Sequence, residues 1–491
     1  MGISRKPVRL DLKKYLAPGR LSPALWLWGL AAAVILLLSV SHVYNDILIT
    51  VKQSIHFWDL LGEGRPLDFY KDSIMYSGNR WYSYAEQGAG YPFLVYLTFA
   101  VWNLPLWFAE KALGDDLLNS LPCLIWVKLM LVVAICLSAR VLYRIAGRFA
   151  ADEAARQRIV FAFSTSLLLL SSTCIASQYD IITVTLMLYG LDAWLAEKRG
   201  RFVLFFGLAV SFKYFAFLPL VPLLLLWEKN LLKILRDLVL AWLPSLALQL
   251  PFSIGDSTRG VVMGSSKRLM VLFTTPDWTV GSLELGAFLL VVALACLFCY
   301  FSPRRPNPAL LQHMTFAELA AMGAFSVLVN IYPYWAVLSV PFFVLAAVCA
   351  PRAHQGKVLL CEMALEATLF ILQLKNYDWV FGSRTMLSMI WPRLLGVTGI
   401  DFESVGFALF QKIGLTDSIY FSTVAMCAWL AMLVLCWPRR QTPAADTQAD
   451  AWYDPPVTLV YYGRLAVNVC LAFVPTIVFF LSVIEYYGGA R

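Results

Sequence analysis

The feature that most constrains this 491-residue chain is the recurrence, from one end to the other, of long apolar runs almost free of charge. Runs of about 18 residues or more are long enough to cross the hydrocarbon core of a bilayer as a helix. Composition agrees, with 60% of residues hydrophobic and 14% charged, against about 45–50% and about 25% in a soluble domain. Soluble multidomain enzymes, disordered chains, collagens and small disulfide-stapled folds are excluded. The runs are continuous and do not alternate, which argues against an outer-membrane barrel. The expected fold is all-α, a polytopic membrane protein.

The net charge of +8 is spread over many short loops, a pattern that reports topology and not a nucleic-acid partner. Six basic residues (Arg5, Lys6, Arg9, Lys13, Lys14 and Arg20) precede the first apolar run, Ala24 to Val43. They place the tail 1–23 in the cytoplasm, and no small-residue cleavage site follows the run, so it reads as a retained span. Further candidate spans lie at 121–143, 159–176, 180–196, 202–213, 215–227, 235–252, 281–301, 314–330, 334–350, 358–375, 418–437 and 462–484, about thirteen in all. Alternating them puts Arg144/Arg148/Arg156/Arg158, Lys198/Arg199/Arg201, Lys229/Lys233/Arg236, Arg304/Arg305, Arg352/Lys357 and Arg439/Arg440 inside. The outer segments 44–120, 253–280 and 376–417 are longer yet poorer in Lys and Arg. The resulting organisation is a core over 24–252, which includes outer segment 44–120 with its amphipathic helices. C-terminal membrane helices over 253–437, a cytoplasmic linker over 438–461 and a last transmembrane helix over 462–491 complete it.

Two stretches depart from simple crossing. Phe93 to Phe108 is short for a span and carries Pro105, with Pro92 before it, and reads as a helix lying on or dipping into the outer leaflet. Arg201 to Glu228 holds Lys213 near its middle, with arms too short to span. It is either a pair of broken helices lining an internal cavity or a tilted hairpin whose lysine snorkels to the interface. All ten cysteines lie in or beside apolar segments. A disulfide framework is not expected, and the CxxC at Cys296 and Cys299 reads as packing.

Few polar residues remain to carry chemistry. Asp46 follows the first span almost immediately, where partial desolvation raises a carboxylate's basicity. Ser177-Gln178-Tyr179-Asp180 is a dense set of donors and acceptors between two apolar spans, and Asp180 also suits a helix cap. Lys213 is a lone cation in apolar sequence, and a membrane-embedded ionisable residue is a functional hypothesis by default. The turn Asn330-Ile331-Tyr332-Pro333-Tyr334-Trp335 offers an aromatic belt or a sugar-stacking surface. The first outer segment is rich in aromatics and acids: Trp58, Asp59, Glu63, Asp68, Tyr70, Asp72, Tyr76, Trp81, Tyr82, Tyr84 and Glu86. Arg259, Lys267, Arg268, Arg384 and Arg393 in later outer loops read as solvated charges or as a guide for a pyrophosphate-linked substrate. No phosphate-binding glycine loop, zinc-protease or serine-hydrolase motif occurs in a usable context.

In order along the chain, these positions resemble the GT-C superfamily of integral-membrane glycosyltransferases, and within it the polyprenyl-phosphate-mannose-dependent, mannosyltransferase-like branch. The matching elements are Asp46 after the first span, Leu60-Leu61-Gly62-Glu63-Gly64 with Leu67-Asp68-Phe69-Tyr70, and Tyr91-Pro92-Phe93-Leu94-Val95-Tyr96. Gln178-Tyr179-Asp180 and Gly207-Leu208-Ala209 through Lys213, with Pro219 and Pro222, follow. The resemblance covers residues 24–230. Four positions depart from it: Asn45 stands where some relatives have a second acid, Ser177 where glycine is usual, Tyr91-Pro92 has one proline where two are common, and the Asn330 turn lacks a common His or Gln.

The resemblance implies an inverting glycosyltransferase of the cell envelope, in a bacterial cytoplasmic membrane with its active site facing outward. Asp46 would be the general base. Lys213, Gln178, Tyr179 and Asp180 would hold the donor phosphate, and Tyr332, Tyr334 and Tyr91 the sugar or acceptor. The implied partners are a polyprenyl-phosphate sugar donor, a glycan, lipid-linked or protein acceptor, and the bilayer. No cofactor is implied with certainty, and a divalent metal lacks a second acid next to Asp46. The rival readings are a transporter or flippase of a lipid-linked sugar and an O-antigen-polymerase- or ligase-like enzyme. A transporter should show paired broken helices.

Overall fold

The computed structural model describes residues 25–73, 88–113, 120–148, 153–254, 278–280, 283–303, 307–329, 331–350, 352–376, 386–398, 408, 410–414, 417–438 and 455–488. The tail 1–23, Tyr76, Trp81, Tyr82, Tyr84, Glu86, Arg259, Lys267, Arg268, Arg304, Arg305, Asn330, Arg384, Arg439 and Arg440 lie outside the described residues, as does most of linker 438–461.

Helix follows helix: α1 (Leu25–Ser41), α2 (Asn45–Gly62), α3 (Phe93–Trp102), α4 (Leu104–Leu113), α5 (Leu121–Arg148), α6 (Glu153–Ser164), α7 (Asp180–Leu195), α8 (Arg199–Phe212), α9 (Phe217–Trp227) and α10 (Leu231–Gln249). The second half holds α11 (Ala287–Phe301), α12 (Asn307–Leu328), α13 (Val340–Cys349), α14 (Arg352–Asn376), α15 (Ser418–Leu435) and α16 (Pro455–Gly488). The expected all-α architecture holds apart from one short antiparallel hairpin, β1 (Trp278–Val280) with β2 (Leu283–Leu285), registered Trp278 to Leu285.

Among the described residues, three helices are long and apolar enough to cross a bilayer: α5, α15 and the Leu459–Gly488 stretch of α16. The count reaches six if each bent pair is one span: α1 with α2 at 71°, α3 with α4 at 61°, and α6 with Leu167–Ile175 at 44°. The other expected spans are not helices of that kind. Some, such as α7, α8 and α9, are shorter than the ~20 residues a crossing needs. Others, such as α10, α12 and α14, have the length but carry buried acids: Asp237, Glu318 and Glu366. The stretch 93–108 is itself broken, at Asn103, into the two ten-residue helices α3 and α4.

Close packing at glycine aligns the helices that matter for the site. The hairpin of α7 and α8 packs on α5 and α10. A β-carbon on Gly207 would stand 2.8 Å from the Ala241 carbonyl of α10, and one on Gly190 would stand 2.4 Å from the Phe206 ring of α8. Small residues at such crossings let backbones approach closely.

The break after α6 is closed by charge. Thr165 and Ser166 interrupt the helix, and a three-residue helix and a π-helical segment, Leu170–Ile175, follow. Arg464 of α16, 1% exposed, donates to the Thr165 and Ala162 carbonyls, both at 2.9 Å. It also pairs with Glu362 at 2.5 Å and Glu366 at 2.9 Å. Glu366 in turn accepts from the Ser166 hydroxyl at 2.6 Å and the Leu167 amide at 2.9 Å, so the freed backbone groups find partners. Cys296 and Cys299 are free thiols, in keeping with a packing role for the CxxC.

Candidate functional site

Five segments distant in sequence deliver side chains to one place, where α2, α3 and α7 begin and α8 ends. Asp46 stands in the first turn of α2, half-buried, just past the 71° bend. Its Oδ2 accepts a hydrogen bond from Gln178 Nε2 at 3.0 Å and from the Tyr91 hydroxyl at 3.3 Å. Asp46 lies just past the end of α1, and withdrawal from water raises its carboxyl pKa above the usual aspartate value. The Gln178 and Tyr91 hydrogen bonds and the Lys213 charge oppose that rise.

Tyr91 is held by its neighbours in outer segment 44–120. Its carbonyl accepts from the Tyr70 hydroxyl at 2.8 Å, and its amide and that of Gly90 both donate to the Tyr96 hydroxyl, at 3.3 and 3.0 Å. Around these lies a satellite aromatic core of Phe57, Phe69, Tyr70, Phe93, Tyr96 and Phe252. Four described acids of this segment are held by basic partners. Arg65 gathers Glu63, Asp68 and Asp72 at 3.2, 2.8 and 3.0 Å, and Asp59 binds Trp107 and Lys111 of α4, both at 2.9 Å.

The Gln178-Tyr179-Asp180 turn is aimed by strain and by the π segment. Ser177 adopts φ +53°, the left-handed region where glycine is at ease, and this is the position at which the resembling pattern has glycine. The Gln178 amide donates to the Ser172 carbonyl at 3.0 Å, while the Ser172 hydroxyl donates to the Tyr334 carbonyl at 2.6 Å. π-Helical turns are frequent at functional sites. Tyr179 is buried, its ring edge-on to Tyr91 at 5.3 Å and to Phe99 at 5.1 Å. Asp180 opens α7 without capping it, since the cap position is Tyr179. Its carboxylate, 1% exposed, instead pairs with Lys213 Nζ at 3.0 Å.

The hairpin is interrupted at Lys213: extended backbone there (φ −147°, ψ 115°) ends α8, a short 3-10 turn follows, and α9 begins at Phe217. The Lys213 side chain is 11% exposed and points inward to Asp180. Its ammonium lies 5.5, 5.9 and 5.1 Å from the ring centres of Tyr91, Tyr334 and Trp335, within cation–π range. Tyr334 is buried and Tyr332, 41% exposed, stacks on it at 5.6 Å, so Tyr332 forms the rim. Arg393 stands apart on a short helix, Trp391–Leu395.

Trp335, which the sequence offered only as part of the aromatic turn, closes the cage, and sequence reading missed one residue that builds this site. Lys128 of α5, 4% exposed, donates to the carbonyls of His42 and, at 3.1 Å, Cys174, tying the end of α1 to the π segment. Its signal, a lone cation in an apolar run, is the one that marked Lys213.

Asp46 is engaged by Gln178 and Tyr91, and Asp180 by Lys213. Among the described residues no three His, Cys, Asp or Glu side chains gather as a metal-ligating group. This donor set does not fit a divalent ion, and no step below runs through one. Compared with protein families, curated proteins and solved structures, the chain matches none.

Proposed function

We propose that this protein is an inverting glycosyltransferase of the GT-C kind, built of about thirteen spans. It takes sugar from a polyprenyl-phosphate donor at the outer face of a bacterial cytoplasmic membrane. The observation that carries the reading is the pairing, in one mouth, of a hydrogen-bonded carboxylate, Asp46, with a caged cation, Lys213. Asp46 takes the proton of the acceptor hydroxyl as its oxygen attacks the sugar C1. The bond from C1 to the phosphate oxygen breaks with inversion, and the prenyl phosphate leaves with the electron pair. Lys213 stabilises that developing charge, so no acid is needed on the leaving group. Asp180 holds Lys213 in position, and Gln178 and Tyr91 orient the Asp46 oxygen.

Tyr332 and Tyr334 present stacked faces for the sugar or acceptor. The test is transfer of labelled sugar from a polyprenyl-phosphate donor by the purified protein. Transfer should be strong in the wild type and nearly lost in Asp46→Asn. Full activity in that variant removes Asp46 as base.

A further inference from the structure

A second polar cavity opens at the opposite end of the α7–α8 hairpin. From Asp180 to Asp192 is twelve residues of α7, about 18 Å at helical rise. The cavity, of about 190 Å³, is lined by Arg144 and Arg148 of α5, Tyr189 and Asp192 of α7, and Lys198 and Arg201 at the start of α8. Four cations and one carboxylate leave three positive charges around a single space.

The cations are arranged, not merely present. Asp192, its side chain 12% exposed, accepts from Arg144 Nη2 at 2.8 Å and Arg148 Nε at 2.6 Å, fixing both guanidinium groups. Each uses one N–H there out of the five a guanidinium carries. Among the described residues neither Lys198 nor Arg201 has an acidic partner. Arg144 also lies over the Tyr189 ring at 5.4 Å, and Tyr189 stacks with Phe205 at 5.3 Å, which gives the cavity an apolar wall. α8, fourteen residues long, starts here, and its cap residue Lys198 makes no side-chain cap bond. The unpaired amides of that first turn add positive potential. The four cations are exposed, and they line one shared cavity.

We propose that this cavity binds the phosphate headgroup of an anionic membrane lipid. The bidentate geometry of arginine suits phosphate oxygens, and basic pockets between helix ends are where such headgroups bind. The Tyr189–Phe205 wall, next in sequence to Leu204, an apolar side chain 51% exposed, favours a lipid over a free anion. The proposal does not depend on the transferase reading, because it concerns the other end of the hairpin.

The experiment is native mass spectrometry of the full chain released from nanodiscs of mixed phosphatidylglycerol and phosphatidylcholine. The wild type should retain phosphatidylglycerol preferentially. The double variant Lys198→Gln/Arg201→Gln should lower that preference about tenfold while keeping its unfolding temperature in zwitterionic detergent. Raised salt should weaken the preference by screening. Equal retention of the two lipids, or a preference untouched in the variant, overturns the proposal. A variant-sensitive thermal shift with millimolar inorganic phosphate, without lipid preference, would keep the anion site and overturn its lipid occupant.

Discussion

Two of the buried charge groups in this bundle are built on opposite plans. Around Arg464 the guanidinium meets two carboxylates and two backbone carbonyls, deep between α6, α14 and α16. Around Lys213 the ammonium meets one carboxylate and three aromatic faces, beside a half-buried aspartate and an exposed tyrosine rim. The first arrangement closes a helix break and faces nothing. The second leaves Lys213 and a half-buried Asp46 beside an exposed tyrosine. Burial of charge therefore does not by itself mark a working site in a membrane protein. What distinguishes one is whether the partners exhaust the group.

The sharpest way to break this comparison is to neutralise one charge from each group. Asp46→Asn should lower sugar transfer by about 10²–10⁴-fold, the usual worth of a general base, while the unfolding temperature barely moves. In the wild type the raised folded pKa means that Asp46 becomes protonated, and transfer falls, as pH drops through a value above the ordinary aspartate value of 3.8. A pH–rate profile measures this directly, and an acid limb below that value would contradict the burial argument. Arg464→Met should do the reverse. It leaves Glu362 and Glu366 without their cation and should destabilise the fold by about 3–5 kcal/mol, read as loss of folded protein in detergent. A stable Arg464→Met protein lacking only transfer would erase the distinction between the two groups.

Lys213→Met tests the middle ground. Asp180 loses its ion pair, but the site is next to a mouth where water can compensate. We expect donor affinity to fall by about 10–100-fold, since a charge-assisted contact to phosphate is worth about 1.5–3 kcal/mol, with a smaller change in stability than Arg464→Met gives. Unchanged donor binding, measured with a labelled polyprenyl-phosphate sugar, would remove the phosphate role from Lys213.

Much of the site was legible in sequence for one physical reason. A polar group in apolar sequence costs several kcal/mol unless it finds a partner, so isolated polar residues tend to meet one another. Asp46, Tyr91, Gln178, Asp180, Lys213 and Tyr334 do meet, across as many as 288 residues of chain (from 46 to 334). Lys128 obeys the same rule, but its partners are backbone carbonyls, which no motif reveals. The Arg464 cluster was hidden because it needs the pairing of α14 with α16 and a helix break at Thr165, and hydropathy averages over such breaks. That averaging also explains why apolar runs suggested more uninterrupted spans than the helices supply. The gathering of Glu63, Asp68 and Asp72 on Arg65 is likewise invisible to composition, which counts acids without their partners.

The smallest effect is expected at Ser177. Its φ of +53° pushes the β-carbon toward backbone oxygen, a conformation costing about 1–2 kcal/mol for residues other than glycine. Its hydroxyl recovers little, since its contact with the Ile175 carbonyl is 3.4 Å long. Glycine would relieve the strain but give back about 0.5–1 kcal/mol through its freer unfolded chain. Ser177→Gly should therefore stabilise the protein by about 0.5–1 kcal/mol, seen as a small rise in unfolding temperature. Because the turn already holds the glycine-like conformation, Gln178 should stay on Asp46 and transfer should be unchanged. If transfer falls while stability rises, the strained serine itself is holding Gln178 against Asp46, and the mouth is less self-supporting than the Arg464 cluster. If stability falls instead, the buried hydroxyl outweighs the strain, and the turn belongs with the closed, structural group.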